Sequence, residues 1–320
     1  MRILIVKTSS MGDVVHALPL AADITRAQTD VTIDWLVEES FAAIPAMSRH
    51  VTQVHRVALR RWRKYPFNTS VWREVRLAKS ALRAARYDLV LDVQGLAKSA
   101  WLARWTGAPI AGFDSSTARE RIASHFYQHR FQVPRAMHAI ERCRQLGALA
   151  LGYTLDGAPR FGIEAARASD AASAAVLLVN ASRATKLWDE DRWLAVERWL
   201  ADKNIPSILF WGTVAEQRST ELLAARMQRA TAAPRSAIDS IASTLSSAPV
   251  VIGLDTGLSH LAAALGCPTV GIYCDYDPAL VGLVGDASAG NRVASVGSAT
   301  QAPEVREVID AVERVMTRSQ

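Results

Sequence analysis

The stretch Val250-Val-Ile-Gly-Leu-Asp-Thr-Gly-Leu-Ser-His-Leu-Ala-Ala-Ala-Leu-Gly266 predicts a buried strand that passes through a glycine turn into a helix. The apolar run ends at Asp255, Gly257 permits a close backbone approach, and a helix of small residues begins near Leu258. In a parallel sheet such a turn lies at the carboxyl end of a strand, where open α/β folds bind ligands. Exposed N–H groups and the helix dipole favour a phosphate there. The alternative is that Asp255 and Ser259 only cap the helix.

Strand and helix patterns alternate along the whole chain of 320 residues. Short apolar runs predict strands over 3–6, 33–37, 89–92, 175–179, 207–211, 250–254 and 269–273. The stretches between them include amphipathic patterns that predict helices over 191–203, 215–229 and 238–246. This alternation indicates an α/β protein whose parallel sheets carry helices on both faces.

The length of the chain favours two domains, because one hydrophobic core ordinarily serves about 150 residues. The best boundary lies in 152–173, where Gly157-Ala-Pro159 precedes a run rich in Ala, Arg, Ser and Asp. We therefore expect domains over 1–160 and 161–302. A final helix over 303–317 carries an apolar stripe that must be buried, and we expect the segment 303–320 to pack back on the first domain.

Charge is divided unevenly between the two halves of the chain. Residues 1–160 hold 23 Lys and Arg against 13 Asp and Glu, a balance of +10, whereas residues 161–320 hold 14 against 18, a balance of −4. The first half is therefore expected to meet an anionic partner. Nucleic acid, an acidic membrane surface and a phosphorylated small molecule all remain open.

Features that are missing from the sequence narrow the function classes. No GxGxxG follows the first strand and no Walker Gly-Lys-Ser/Thr occurs, which disfavours dinucleotide oxidoreductases and P-loop enzymes. No apolar run approaches the roughly 20 residues that span a bilayer. The three cysteines, an odd number without ligand spacing, indicate reduced cytoplasmic thiols. The acidic clusters 189–191 and 275–277 are typical of helix starts and turns, and the seven histidines lack paired zinc spacing, so we expect no metal.

Two more loops in the second half carry candidate binding residues. The loop after the strand 175–179 holds Ser182, Thr185 and Lys186, which supply hydroxyl donors and a positive charge suited to a diphosphate. The alternative is an ordinary solvated loop. Glu216 also follows a strand, and its carboxylate is suited to accept hydrogen bonds from the ribose hydroxyls of a nucleotide. The alternative is an ordinary carboxylate in the first turn of a helix, which the helix dipole favours equally.

The first half carries a candidate general base. Asp13 follows a flexible glycine turn after the strand 3–6, where a carboxylate is placed to take a proton from an acceptor hydroxyl. A carboxylate that only serves the first turn of a helix would have the same sequence, and the helix N-terminus would lower its pKa.

The densest basic run of the chain is Arg60-Arg-Trp-Arg-Lys64. Together with Lys98, Arg119, Arg121 and Arg130, it is suited to form a cationic surface for phosphate or carboxylate groups. Basic runs are usually solvated faces, and Trp62 would also suit base stacking. The chain lacks a nucleic-acid-binding motif that would support stacking.

Six segments carry a resemblance that extends over nearly the whole chain. They are Met1-Arg-Ile-Leu-Ile-Val-Lys-Thr-Ser-Ser-Met-Gly-Asp-Val-Val-His16, Trp35-Leu-Val-Glu-Glu39, Arg60-Arg-Trp-Arg-Lys64, Asp92-Val-Gln-Gly-Leu-Ala-Lys-Ser99, Thr117-Ala-Arg-Glu120 and Asp255-Thr-Gly-Leu-Ser-His-Leu261. In sequence and order these segments resemble the bacterial lipopolysaccharide heptosyltransferases, most closely the heptosyltransferase I group.

The resemblance implies a GT-B fold, in which two Rossmann-like domains face each other across a cleft and no metal or cofactor is required. It implies an inverting transfer of heptose from ADP-L-glycero-β-D-manno-heptose to the Kdo of Kdo2-lipid A, without a nucleic-acid partner. The enzyme would be cytoplasmic and peripheral at the cytoplasmic face of the inner membrane. A heptosyltransferase for a later core acceptor and a non-catalytic nucleotide- or polyanion-binding protein remain as alternatives.

The resemblance also assigns roles to single residues. Asp13 would be the catalytic base of the acceptor domain 1–160, and the donor would be bound in 161–302. Donor-binding residues would be Ser182, Lys186, Glu216, Asp255, Thr256, Gly257, Leu258 and His260. Acceptor-binding residues would be Arg60, Arg61, Arg63, Lys64, Lys98 and Arg119. Two positions depart from the family pattern, because Ala181-Ser182 replaces paired threonines and Ser236 stands where a methionine is expected.

Overall fold

The computed structural model describes residues 1–166 and 174–317, which divide into two compact units, Met1–Ile163 and Glu164–Gln320. Most of the low-complexity run at the expected domain boundary, residues 167–173, lies outside the described residues. Among the described helices, none combines the length and the apolar character that crossing a membrane requires.

The first unit is built on a six-stranded sheet whose strands are all parallel. The strands are β1 (Arg2–Val6), β2 (Thr32–Glu38), β3 (Gln53–Val57), β4 (Leu89–Asp92), β5 (Ile110–Phe113) and β6 (His129–Phe131). The helices are α1 (Met11–Ala27), α2 (Ala43–Ala46), α3 (Leu59–Lys64), α4 (Thr69–Ala84), α5 (Ala97–Ala103) and α6 (Ala139–Leu151). The spatial order β3-β2-β1-β4-β5-β6 is the doubly wound Rossmann order.

The second unit repeats this architecture with another all-parallel sheet of six strands. Its strands are β7 (Ala175–Leu178), β8 (Ser207–Leu209), β9 (Ala230–Ala232), β10 (Val251–Leu254), β11 (Thr269–Tyr273) and β12 (Val293–Gly297). Its helices are α7 (Glu190–Asp202), α8 (Val214–Arg226), α9 (Ile238–Ser247), α10 (Gly257–Ala264), α11 (Pro278–Val281) and α12 (Val305–Met316). The order β12-β11-β10-β7-β8-β9 again winds in both directions from the first strand. The predicted α/β class with two Rossmann-like domains is therefore confirmed.

Each sheet has a central strand pair from which the chain winds in opposite directions. In the first unit this pair is β1 and β4, which are hydrogen-bonded with Ile3 opposite Leu89. In the second unit it is β7 and β10, with Val176 opposite Val251. Ligands of open α/β sheets bind outside the carboxyl ends of such a pair. The loops after β1, β4, β7 and β10 are therefore the places to look for function.

The last helix is the part of the fold for which our expectation was wrong. Helix α12 packs on β11, β12 and α7, and its residues Val308, Val312 and Val315 belong to the hydrophobic core of the second unit. These residues recur at i, i+4 and i+7, so they form a single apolar stripe that covers one face of the sheet. An apolar stripe shows that one face of a helix is buried, but it does not show which surface covers that face. For α12 the covering surface is the sheet of the second unit.

Candidate active site

Asp13 lies in the first turn of α1, just beyond the carboxyl end of β1. Its Oδ2 atom accepts hydrogen bonds from the backbone N–H of Ser10 at 2.9 Å and from the Ser10 hydroxyl at 3.1 Å. An acidic side chain at the third helical position often reaches back in this way to the residue that starts the helix. The carboxylate therefore does serve the start of the helix, as one of the two interpretations of the sequence predicted.

Asp13 also faces two cations, which a helix cap alone does not need. Its Oδ1 atom lies 3.6 Å from the Lys7 ammonium, and its Oδ2 atom lies 3.3 Å from the Arg119 guanidinium. Burial disfavours the charged carboxylate, but Lys7, Arg119, the Ser10 N–H and His16 together hold the pKa of Asp13 well below its usual range. Asp13 is therefore ionised at neutral pH and is able to accept a proton.

The loop that precedes Asp13 is held by a side chain from the loop after β4. The Oε1 atom of Gln94 accepts hydrogen bonds from the backbone N–H groups of Thr8 and Ser9, at 3.0 and 3.2 Å. The neighbouring Asp92 is fully buried and accepts from the N–H groups of Gln94 and Gly95. Further donors to Asp92 are the hydroxyls of Ser99 and Tyr127. This network fixes the β4 loop, which in turn fixes the backbone before Asp13.

A cavity of about 60 Å³ opens beside Asp13, and Lys7, Gln94 and Arg119 also line it. Arg142 is a further lining residue that the sequence did not single out. The guanidinium of Arg142 lies 4.6 Å from the centre of the Phe113 ring and donates one hydrogen bond to the Thr117 carbonyl at 2.9 Å. Its buried Nε has no hydrogen-bond partner among the described residues. A cavity lined by three cations and one carboxylate suits an anionic molecule that also presents a proton to Asp13.

The basic run occupies α3, and its four cations differ in what they already contact. Glu38 receives the first N–H groups of this helix, from Leu59 at 3.2 Å and Arg60 at 3.2 Å, and so fixes its start. Arg61 is bound by Glu39 and Glu74, with nitrogen–oxygen distances of 3.0 and 2.9 Å.

Four other predicted anion-binding residues of the first unit make no ion pair within the described residues. Arg60 lies 6.0 Å from the Phe41 ring, Lys64 lies 5.4 Å from the Tyr65 ring, and Arg63 is exposed. Lys98 is exposed in the first turn of α5. Of the basic run, Arg60, Arg63 and Lys64 are therefore better placed than Arg61 to bind an external anion.

In the second unit, the loops after β7 and β10 meet through an ion pair. Lys186, in a short 3₁₀ turn at Ala184–Lys186, contacts the Oδ2 atom of Asp255 and lies 3.2 Å from the Asp255 carbonyl oxygen. On the other side, Oδ1 of Asp255 lies 3.3 Å from Nε2 of His260. Burial opposes ionisation of Asp255, but His260 and Lys186 outweigh it and lower its pKa to about 2. The structure thus brings together three of the predicted donor-binding residues.

The turn from Asp255 into α10 leaves the start of that helix open. Thr256 occupies the position before the helix but makes no side-chain capping bond in the described part of the chain. The Ser259 hydroxyl donates to the Leu254 carbonyl at 2.6 Å, and Asp255 pairs with Lys186. The interpretation that Asp255 and Ser259 serve only as caps is therefore wrong. The N–H groups at Gly257 and the following residues remain suited to an anion.

Two other predicted residues of this unit, Glu216 and Thr185, have structural roles in the described chain. The Oε2 atom of Glu216 accepts from the N–H groups of Gly212 at 2.8 Å and Thr213 at 2.9 Å, which closes the first turn of α8. Thr185 donates to Asp275 at 2.5 Å, and Ser182 is exposed on the same loop as Thr185. Both of the Glu216 hydrogen bonds use Oε2, so Oε1 of Glu216 is still able to accept a hydrogen bond from a ribose hydroxyl. The ribose contact stays a prediction.

The comparisons with known proteins agree on one family. The family described as Glycosyltransferase family 9 (heptosyltransferase) matches residues 75–309. Lipopolysaccharide heptosyltransferase 1 of Pseudomonas aeruginosa is 41% identical over 290 residues, which cover 89% of this chain and 82% of the relative.

Two solved structures of the E. coli heptosyltransferase WaaC also match. The complex with ADP superposes with a TM-score of 0.89 at 37% identity and covers 98% of this chain and 100% of that one. The complex with ADP-2-deoxy-2-fluoro heptose has a TM-score of 0.84 at 36% identity and covers 98% and 99%. The chain is thus a glycosyltransferase that belongs to glycosyltransferase family 9, the heptosyltransferases.

Proposed function

We propose that this heptosyltransferase takes heptose from ADP-L-glycero-β-D-manno-heptose and transfers it, with inversion, to the Kdo of Kdo2-lipid A in the inner core of lipopolysaccharide. The observation that carries the proposal is the likeness to WaaC, whose solved complexes contain ADP and ADP-2-deoxy-2-fluoro heptose. The relatives named lipopolysaccharide heptosyltransferase 1 support the place of the reaction in the inner core.

The donor site of the proposal is the Lys186–Asp255 pair and the open start of α10. The N–H groups of Thr256, Gly257 and Leu258 would receive the diphosphate at the positive end of the helix dipole. Lys186 would add a positive charge that stabilises the ADP as it leaves. Asp255, kept ionised by His260 and Lys186, would accept hydrogen bonds from heptose hydroxyls. Ser182 and Glu216 would contact the phosphate and the ribose.

The chemical step of the proposal begins at Asp13. Its carboxylate takes the proton of the Kdo hydroxyl while that oxygen forms a bond to C1 of the heptose. The bond from C1 to the phosphate oxygen breaks on the opposite face, and ADP leaves with that electron pair. A single displacement of this kind inverts the anomeric centre. Because the low pKa of Asp13 makes it a weak base, its contribution depends on the positioning that Ser10, Lys7 and Arg119 provide.

The acceptor site of the proposal uses the cations of the first unit. Arg60, Arg63, Lys64 and Lys98 would neutralise the phosphates and carboxylates of the acceptor, and Arg119 would do so beside the base. Arg61, already bound by two carboxylates, would hold α3 in place. Because the acceptor is a membrane lipid, the enzyme would work peripherally at the cytoplasmic face of the inner membrane, without nucleic acid.

The test is ADP release from purified protein with ADP-heptose, in the presence and absence of EDTA. We expect ADP release with Kdo2-lipid A and at least tenfold slower release with an acceptor that already carries the first heptose. EDTA should leave the rate unchanged. Faster release with the heptosylated acceptor would assign the chain to a later step, and no release with either acceptor would contradict the transfer itself.

Replacing Arg119 should change the pH dependence of transfer. In the wild-type protein the acid limb of kcat is expected below the ordinary carboxyl pKa of about 4, because Asp13 must be ionised and its pKa is depressed. Arg119→Gln removes one of the cations that depress this pKa, so the acid limb should move to higher pH.

Stopped assays of kcat between neutral pH and the acid limit measure this shift. Arg121→Gln is the matched control, because Arg121 is exposed nearby and makes no ion pair with Asp13 within the described residues. An acid limb that stays in place in Arg119→Gln, or moves to lower pH, would contradict the proposed role of Asp13.

A further inference from the structure

Helix α4 and the turn before it carry a concentration of positive charge that the proposed mechanism does not use. The segment 65–84 contains four cations, Arg73, Arg76, Lys79 and Arg83, and a single acidic residue, Glu74. Glu74 is already bound to Arg61 and to the indole N–H of Trp62. The charge of this segment is therefore not neutralised locally.

Part of this charge lies in a straight line along the exposed side of α4. Trp72, Arg76, Lys79 and Arg83 recur at i, i+4, i+7 and i+11, so they form one ridge along the helix. All four side chains are exposed. Within the described residues, none of the three cations makes an ion pair. In contrast to Arg61, they are free to meet charges outside the protein.

One end of this ridge is aromatic. Phe67 is 96% exposed, Trp72 is 57% exposed and Tyr65 is 48% exposed. The indole N–H of Trp72 donates to the Pro66 carbonyl at 2.8 Å, which fixes the ring beside the turn that carries Phe67. An almost fully exposed phenylalanine between two exposed amphipathic rings is an apolar surface that the described residues leave largely uncovered. Exposed apolar patches of this kind mark sites where a protein or a membrane binds.

The partner must offer negative charge along the ridge and an apolar layer at its aromatic end. The surface of an anionic phospholipid bilayer offers both, since phosphates lie at the surface and acyl chains lie directly below. Tyr and Trp prefer the interface between these layers, whereas Phe enters the apolar one. A nucleic acid would instead favour aromatic rings placed among the cations, where bases are able to stack, and here the rings are confined to one end.

We propose that Tyr65, Phe67, Trp72, Arg76, Lys79 and Arg83 form a docking ridge that binds an anionic phospholipid bilayer, with Phe67 inserted below the phosphates. The inference rests on the proposed function, in which the acceptor is a membrane lipid. The ridge would hold the first unit at the membrane independently of the acceptor. It is distinct from Asp13 and from the predicted acceptor residues of α3.

The test is co-sedimentation of the purified protein with vesicles of phosphatidylcholine alone and of phosphatidylcholine mixed with phosphatidylglycerol. The wild-type protein should bind the mixed vesicles, and salt should release part of the bound protein. The triple variant R76Q/K79Q/R83Q should bind them about 100-fold more weakly, since each cation near an anionic surface contributes a factor of about 5. Phe67→Ser, which keeps every charge, should also weaken binding and should lower the part that resists salt.

A matched control lowers the charge equally elsewhere. Arg198, Arg218 and Arg314 are exposed cations of the second unit, and R198Q/R218Q/R314Q should bind mixed vesicles like the wild-type protein. Equal binding by the two triple variants, equal binding to neutral and mixed vesicles, or a ridge that binds single-stranded DNA but not vesicles would overturn the proposal.

The activity of the ridge variant separates this proposal from the proposed function. With a deacylated, water-soluble acceptor, the ridge variant should release ADP at the wild-type rate. With Kdo2-lipid A embedded in mixed vesicles, its rate should fall at least tenfold. A wild-type protein that binds vesicles but releases no ADP would refute only the proposed function. A protein that releases ADP but binds no vesicles would refute only the docking ridge.

Discussion

Asp13→Asn is expected to lower the rate of heptose transfer by about 10²–10⁴-fold, the usual contribution of a positioned general base. The amide has nearly the shape of the carboxylate, and its oxygen is still able to accept the Ser10 N–H bond that starts α1. It is not able to accept a proton at neutral pH. The measurement is kcat for ADP release with saturating donor and acceptor.

Ser10→Ala is the matched control for Asp13→Asn. It removes the 3.1 Å hydrogen bond from the Ser10 hydroxyl but leaves the carboxylate and its two cations in place. Its cost should be about 1 kcal/mol of stability, as for other helix caps. Its kcat should stay within about tenfold of the wild-type value, since only positioning is disturbed. An Asp13→Asn protein that is folded and transfers heptose at a wild-type rate would exclude Asp13 as the base.

Lys186→Met should weaken the binding of ADP by about 10- to 100-fold, which corresponds to the loss of one charge-assisted hydrogen bond. The same substitution removes one partner of the buried Asp255, so the pKa of Asp255 should rise and the second unit should lose stability. Calorimetric titration with ADP measures the first effect, and thermal unfolding measures the second.

The double variant Lys186→Met/Asp255→Asn separates these two effects. Asparagine removes the unpaired charge, so much of the lost stability should return. The affinity for ADP should remain low, because the lysine that binds its phosphates is still missing. The change at Asp255 should matter little for ADP, since ADP lacks the heptose that Asp255 is proposed to contact. Recovery of ADP affinity in the double variant would mean that Lys186 acts only by holding Asp255.

The predicted parts of the fold are those with strong local signals. The central strands β1, β4, β7 and β10 are apolar runs that both faces of a sheet bury, and the sequence predicts all of them. Five strands were not predicted, namely β3, β5, β6, β9 and β12. Two of them, the edge strands β6 and β9, have only three residues each. His129–Phe131 and Ala230–Ala232 lack an apolar run, because an edge strand is only partly covered. Their pairing is decided by neighbouring strands that are distant in sequence.

The sequence predicted the loops of the candidate site separately, but not the contacts between them. Each parallel strand pointed to the loop at its carboxyl end, and so to Asp13, Lys186 and Asp255. The partners of these residues were not predictable, since Gln94 is 86 residues from Thr8, whose N–H it binds. For the same reason Arg142 was missed.

The sequence also could not distinguish the roles of identical residues within one motif. Arg60 and Arg61 are neighbours, yet only Arg61 is bound by Glu39 and Glu74. The local pattern gives the same interpretation for both, and the difference depends on which side of α3 faces the carboxylates. The prediction that α12 packs on the first domain failed for a related reason, because an apolar stripe does not show which surface it packs against.

The central claim is that Asp13 carries the chemistry and the Lys186–Asp255 pair binds the donor. Its most direct test is the dissociation constant of ADP-heptose, measured by calorimetry without acceptor for Asp13→Asn and Lys186→Met side by side. We expect a wild-type constant for the inactive Asp13→Asn and a constant raised at least about tenfold for Lys186→Met. An Asp13→Asn protein that loses donor binding as much as Lys186→Met, or a Lys186→Met protein with wild-type affinity, would contradict this division of roles.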